Sequence, residues 1–224
     1  LSSMLSQGCT MGVMEVSSIG LALRRADNIP FQVGVFTSFS RDHLDFHHDM
    51  DSYFAAKQRL FDELLATDAV CVLNADDPAI KAMELPRKKV WYYSTKHPVD
   101  IFTNNIQSTI HGTRATVHTP RGTGILRINL PGLHNLENAL AALGAALAVD
   151  IPLATALNGL ANLSIIPGRL SPVENQVNID VLVDYAHTPD ALTRVLTALR
   201  PLVSGHIITV FGCGGDRDPG KRPL

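Results

Sequence analysis

The residue with the most chemical promise is Lys57. Residues 52–66 (SYFAAKQRLFDELLA) read as a helix with Asp51 as its N-cap. On a helix, the side-chain neighbours of position 57 are positions 53, 54, 60 and 61. These are Tyr53, Phe54, Leu60 and Phe61, so a lysine stands in the middle of an apolar face. Two readings fit. The stem packs there while the amine snorkels to water. Alternatively, the amine is held partly dry, its pKa falls, and its nitrogen becomes nucleophilic.

Two other reactive places precede it. Glu15 lies near the end of the apolar run 11–16 (MGVMEV), which reads as a buried strand. Arg41-Asp42-His43-Leu44-Asp45 follows the strand-like run 31–37. Open α/β sheets bind their ligands at the carboxyl ends of the strands. A carboxylate, an imidazole and a modified lysine meeting there could hold a hard cation such as Mg²⁺.

The elements that must position these groups alternate. Residues 1–7 read as the tail of a helix and 19–25 as a short helix. Strands are expected at 69–73 (AVCVL) and 90–94 (VWYYS). Such alternation means an α/β fold with a mostly parallel sheet. From about 100 to 130 the pattern becomes Thr- and Ile-rich, alternating, and broken by Gly112, Gly122 and Gly124. That predicts a small antiparallel insert. Helices return at 135–149 and 152–163. After Pro167-Gly168-Arg169 a second α/β unit is expected: strand 179–183, loop DYAHTPDA, helix 191–202 and strand 207–211. We place the domain boundary near residue 175, giving 1–175 and 176–224.

Composition excludes some classes. The chain has 224 residues, 46% of them hydrophobic and 18% charged, with a formal net charge of −2. That is ordinary for a soluble α/β protein, and no basic run marks a nucleic-acid surface. The small-apolar stretch 139–149 is too short to span a bilayer. Three cysteines without metal-ligand spacing point to reduced thiols in the cytoplasm.

EVSS, SRDHLDFH and YFAAKQRLF, in this order and spacing, resemble the Mur ligases of peptidoglycan synthesis. The likeness is nearest to the branch that adds the third amino acid of the peptide. It implies that Lys57 is carbamylated. The carbamate oxygens, with Glu15 and His43, would organise magnesium at the γ-phosphate of ATP. Ser17 and Arg25 would contact the UDP-sugar peptide, although two serines on such a turn can also be simple caps. Four departures from the family pattern lie close by: Ile19 for a usual histidine, Leu23 for a frequent glutamine, Ser38 for asparagine and His48 for glycine.

The segment LPGLHNLEN (130–138) resembles the family's G-x-H-N-x-x-N. This implies that His134, Asn135 and Asn138 lie against the nucleotide; helix capping is the plainer reading of the asparagines. Arg169 matches an arginine that reaches ATP phosphates, where a lone P-G-R would otherwise be a turn. Asp184 and Tyr185, in DYAHTPDAL, match residues near the nucleotide. Residues 215–221 fit the first seven positions of a P-loop, but Arg222 occupies the place of its magnesium-binding hydroxyl. They match instead the family's GCGGDRDxGKRP loop, in which Arg217 would bind the carboxylate of the incoming amino acid.

The resemblance implies a Mur ligase ATPase domain without its first strand and P-loop, followed by the start of a Rossmann-like domain. Both ends of the chain read as cut, and the chain alone is expected to be inactive. The implied reaction is ATP-dependent amide formation on UDP-N-acetylmuramoyl-L-alanyl-D-glutamate by a monomeric cytoplasmic enzyme. The loop at 212–223 favours meso-diaminopimelate over L-lysine as the amino acid added. A folylpolyglutamate-type ligase, a P-loop NTPase using 215–222, and a non-enzymatic binding module are the other readings.

Overall fold

The structure is a computed structural model that describes residues 2–86, 88–177 and 179–212. A six-stranded sheet runs in the order β1-β2-β3-β4-β5-β6. Its strands are β1 (Phe31–Phe36), β2 (Leu65–Asn74), β3 (Lys89–Ser94), β4 (Ile101–Thr109), β5 (Gly112–Thr119) and β6 (Gly122–Ile128). The pairings from β1 to β4 are parallel, and those from β4 to β6 antiparallel. The expected insert is therefore not a separate body. Its first strand joins β3 through Tyr93↔Ile101 and Ser94↔Phe102, and its hairpins lengthen the same sheet.

Buried apolar residues fill both faces. Ala69, Cys71 and Leu73 alternate with Val70 and Val72 along β2, all buried, as a central parallel strand requires. Helix α6 (Leu133–Ala148) lays Leu136, Leu140, Leu143 and Leu147 over Val72, Tyr93, Ile101, Val117 and Leu126. Gly144 permits the close approach, because a Cβ there would stand 2.7 Å from Val72 Cγ1 and 3.0 Å from Ile101 Cδ1. On the opposite face Cys71 and Leu73 meet Phe36, Phe61, Leu65 and Ile80.

The remaining helices are α1 (Ser2–Ser6), α2 (Ser18–Ala22), α3 (Leu44–His47), α4 (Met50–Arg59), α5 (Pro78–Lys81), α7 (Leu153–Asn162) and α8 (Pro189–Leu199). A two-stranded antiparallel pair, β7 (Ser171–Pro172) and β8 (Leu182–Val183), precedes α8. Among the described residues no helix is long and apolar enough to cross a membrane.

Several expectations need correction. Residues 11–16 are not a buried strand: they form no regular element, and Met11, Val13 and Met14 are 57%, 95% and 48% exposed. Glu15 is therefore carried on an irregular exposed segment rather than at a strand end. Residues 207–211 likewise form no strand, and Ile208 and Val210 are exposed. A strand needs a neighbour for its N–H and C=O groups. Apolarity alone does not supply one, and β1 stands at the outer edge of the sheet. The cap of α4 is Asp49 rather than Asp51, its carboxylate accepting from Ser52 N at 2.7 Å. The helix at 19–25 is shorter than expected, ending at Ala22. After Arg59 the chain widens into a π-helical turn, Leu60–Leu64, that leads directly into β2.

The buried acids of the core give a pH prediction. Burial pushes the Cys71 thiol up to about 11 from 9.0, and pushes the Tyr93 phenol well above its usual range. Both are held neutral in the fold, so their stabilisation is complete below the unfolded-state pKa and is lost as pH rises. The urea midpoint is expected to fall between pH 9 and 11. Cys71 contributes at most roughly 2–3 kcal/mol of that loss. Cys71→Ala should flatten the first part of the fall, and an unchanged slope would refute the assignment.

Candidate active site

Two clusters contain most of the expected site residues. The first surrounds Lys57 on α4. Its Nζ lies 5.1 Å from the Tyr53 ring centroid and 5.7 Å from that of Phe36. Phe36 in turn stacks on Phe54 at 6.0 Å and on Phe61 at 5.8 Å, while Phe39 packs on Tyr53 at 4.9 Å. The collar is thus built from β1 and the loop after it as well as from α4. Burial lowers the pKa of Lys57, while the carboxylates of Asp42 and Glu15 pull it back up. Desolvation dominates, and it favours the neutral amine.

His43 stands at the N-terminus of α3 with a left-handed backbone, φ 54°. Its N–H donates to Asp42 Oδ1 at 2.8 Å, and its Nε2 lies 3.5 Å from Asp42 Oδ2. Its ring meets Tyr53 edge-on at 5.9 Å. Ser17 caps α2, its Oγ accepting from Gly20 N at 3.0 Å. Arg25 is exposed just beyond α2. Arg59 ties that region to α4, donating to Leu21 O at 2.7 Å and to Asp27 at 2.6 Å.

Sequence reasoning missed His47. It is 6% exposed, with Nε2 2.9 Å from Ser18 Oγ and its ring stacked on Tyr53 at 5.3 Å. Burial lowers its pKa, an effect reinforced by His43 and Lys57. Its spacing of four from His43, one helical turn, was the available signal. Tyr53, between these groups, has its phenol pushed by burial up to about 12.

As a magnesium site the bare side chains are incomplete. Among the described residues no group of three or more His, Cys, Asp or Glu could hold a metal. Glu15 and His43 bring one oxygen and one nitrogen donor. A carbamate on Lys57 adds the hard oxygen donors that Mg²⁺ prefers, so the donor chemistry fits only with the modified lysine.

The second cluster is a cleft of about 150 Å³, lined by Thr37, Ser38, His134, Glu137, Asn138, Arg169, Asp184 and Arg194 among others. It opens where β1 ends, at the start of α6, with α8 as its far wall. Asn74 Nδ2 donates to Thr37 O at 2.8 Å and anchors the end of β1. Gly132, at φ 91°, turns the chain into α6, and a Cβ there would stand 2.8 Å from the His134 ring. Asp184 accepts from Leu170 N at 2.9 Å and from Ala186 N at 2.8 Å. It thereby fastens the Arg169 turn to the DYAHTP loop.

The other expected residues divide. His134, Asn138, Arg169 and Asp184 line the cleft. Asn135 does not: it is 3% exposed and its amide donates to Pro131 O at 2.7 Å, holding the loop before α6. Tyr185 is 70% exposed and packs against His187 outside the lining. Arg217, like the whole 213–224 loop, lies outside the described residues. Burial lowers the pKa of His134, and its Nδ1 is buried without a hydrogen-bond partner. Glu137, in the same cleft, was not singled out from the sequence.

Residues 1–146 match the Mur ligase middle domain, and residues 168–224 match the glutamate ligase domain of Mur ligases. The chain belongs to the Mur ligase family. It is 46% identical over its whole length to a protein of Gloeobacter violaceus called UDP-N-acetylmuramoyl-L-alanyl-D-glutamate–2,6-diaminopimelate ligase. It is 44% identical to the protein of the same name from Thermosynechococcus vestitus, again over its whole length. In both cases it covers 46% of the relative, so the chain spans about half the length of the curated relatives it matches. A solved structure of a ligase of that name superposes with a TM-score of 0.76 at 34% identity, covering 97% of this chain and 45% of that one. The cleft takes His134, Glu137 and Asn138 from the Mur ligase middle-domain match and Arg169, Asp184 and Arg194 from the glutamate ligase match. The Lys57 cluster lies wholly within the middle-domain match.

Proposed function

We propose that the chain is part of the ATP-dependent ligase that joins meso-2,6-diaminopimelate to UDP-N-acetylmuramoyl-L-alanyl-D-glutamate in peptidoglycan synthesis. The observation that carries this reading is identity of 44–46% along the entire chain with ligases of that name. The half-buried, desolvated Lys57 agrees with it.

In this reading the D-glutamyl carboxylate attacks the γ-phosphate of ATP, giving an acyl phosphate and ADP. The amine of diaminopimelate then adds to the acyl carbon, and phosphate leaves the tetrahedral intermediate. Lys57 as its carbamate, with Glu15 and His43, would hold Mg²⁺. When bound, that ion neutralises phosphate charge. Arg169 places a guanidinium on the phosphates, and Asp184 keeps that turn in place. His134 and Asn138 face the nucleoside. Ser17 and Arg25 lie on the side of the UDP-sugar peptide, and Arg217 receives the carboxylate at the reacting end of the amino acid. Positioning and charge stabilisation dominate such phosphoryl and acyl transfers. We place the enzyme, a monomer, in the cytoplasm, where ATP and nucleotide-linked sugars are available.

The test is amino-acid selectivity in a full-length ligase carrying this segment. Diaminopimelate has a second carboxylate at its far end, which a cation in the site can pair in bidentate fashion. Charge-assisted bonds of this kind predict a preference in kcat/KM over L-lysine of about 10- to 100-fold or more. A preference for lysine would overturn the assignment.

A further inference from the structure

We propose that Arg59 is a positioning residue that aims Arg25 at the UDP-sugar peptide, a role that rests on the contact proposed above for Arg25. Helix α2 ends in a tight turn. Arg25 N donates to Gly20 O at 2.8 Å, and Arg24 N donates to Leu21 O at 3.1 Å. This pair of bonds is a Schellman turn, whose left-handed position is usually filled by glycine. Here Arg24 fills it, at φ 57°. A left-handed backbone costs free energy in an L-residue with a long side chain, so the turn persists only where its surroundings hold it. Arg25, the next residue, is exposed, and Ala26 after it is buried. The shape of this turn therefore sets where the Arg25 side chain leaves the surface.

Arg59 supplies that hold from α4. Its guanidinium nitrogens go to three partners. Nη1 donates to Leu21 O at 2.7 Å, Nη2 to Asp27 Oδ1 at 2.6 Å, and Nε to Glu63 Oε2 at 2.7 Å. Leu21 O is the same carbonyl that closes the turn, and Asp27 Oδ2 also accepts from Arg24 at 3.3 Å. Arg59 thus grips the chain on both sides of the strained residue. Its side chain is 13% exposed, so these charge-assisted bonds are largely shielded from water. Glu63, in the π-helical turn after α4, steadies the guanidinium plane. A planar fork reaches several acceptors at once, whereas a lysine offers its charge at a single point. The start of α2 has its own fastenings, the Ser17 cap and the contact of Ser18 with His47. Loss of Arg59 therefore loosens the turn and leaves the start of the helix in place. Arg59 follows Lys57 by two positions, about 200° round the axis of α4. One helix sets the lysine on one face and holds the turn that bears Arg25 on the other.

The experiment is steady-state kinetics of a full-length ligase carrying this segment, with Arg59→Lys, Asp27→Asn, Arg25→Ala and the double variant Arg25→Ala/Arg59→Lys. Arg59→Lys is expected to raise the KM for the UDP-sugar peptide about tenfold, with kcat and the KM for ATP within about twofold of wild type. Asp27→Asn keeps an acceptor oxygen and loses the charge, so it should show a smaller rise of the same kind. Should Arg59→Lys fail to fold, Asp27→Asn carries the same test. A purely structural role would lower the thermal midpoint and leave that KM unmoved. Arg25→Ala should raise the KM as well. The double variant should be no worse than Arg25→Ala alone, because Arg59 acts through Arg25. An unchanged KM for the UDP-sugar peptide in Arg59→Lys and Asp27→Asn overturns the proposal, as do losses that multiply in the double variant. If Arg25→Ala leaves that KM unchanged, the contact assigned to Arg25 fails and this proposal with it; that result is distinct from a loss confined to Arg25→Ala.

Discussion

Lys57→Ala abolishes ATP turnover in a full-length ligase carrying this segment, and a short-chain carboxylate such as acetate restores part of it. The expected loss is about 10²–10³-fold in kcat or more, the size seen when one electrostatic stabiliser of a transition state is removed. The reason lies in the collar. Carbamylation requires a neutral amine, and a lysine in water is almost entirely protonated at neutral pH. Desolvation between the rings of Tyr53 and Phe36 shifts Lys57 toward the neutral form. The carboxylates of Asp42 and Glu15 oppose the shift without being its main cause. Because the pKa is lowered, the free amine persists to lower pH than in an ordinary lysine. Lys57→Arg should be as inactive as Lys57→Ala, since a guanidinium forms no carbamate. Full activity in Lys57→Arg would refute the role assigned to this residue.

Alanine at Glu15 or His43 is expected to raise the Mg²⁺ concentration needed for half-maximal ATP turnover by about 10- to 100-fold. The fold should survive both changes. Glu15 lies on an exposed segment outside any regular element, and the His43 side chain is 42% exposed, its ring nitrogen meeting the neighbouring Asp42 Oδ2 at 3.5 Å. Thermal midpoints should therefore stay near wild type while the metal requirement moves. His47→Ala makes the contrast: it removes a buried ring from between Ser18 and Tyr53 and should lower stability first. If magnesium dependence stays unchanged in both the Glu15 and His43 variants, these residues are not its ligands.

Elements that carry their own burial pattern were legible in the sequence. The AVCVL run is buried on both faces, so every residue is apolar and the strand announces itself. Helix α6 shows its leucines at helical spacing, and the alternation of β4–β6 marks hairpins. The resemblance to Mur ligases was legible because its motifs are short, contiguous and ordered. Residues 11–16 and 207–211 misled, because an apolar run records a capacity for burial and says nothing about whether a partner strand stands beside it.

By itself, then, the sequence determined the α/β class and the family, and it put forward Glu15, Ser17, Arg25, His43, Lys57, His134, Asn135, Asn138, Arg169, Asp184, Tyr185 and Arg217 as candidates. Tertiary structure decided what surrounds them. Phe36 reaches the Lys57 amine only because β1 ends beside α4. Asn135 turns to Pro131 while Asn138, three positions on, faces the cleft. Glu137, unmarked in the sequence, lines one cleft with Arg169, Asp184 and Arg194 from far along the chain. A local pattern encodes how a residue sits on its own helix or strand. Burial and electrostatic environment are sums over neighbours brought together by folding, and no local pattern contains that sum.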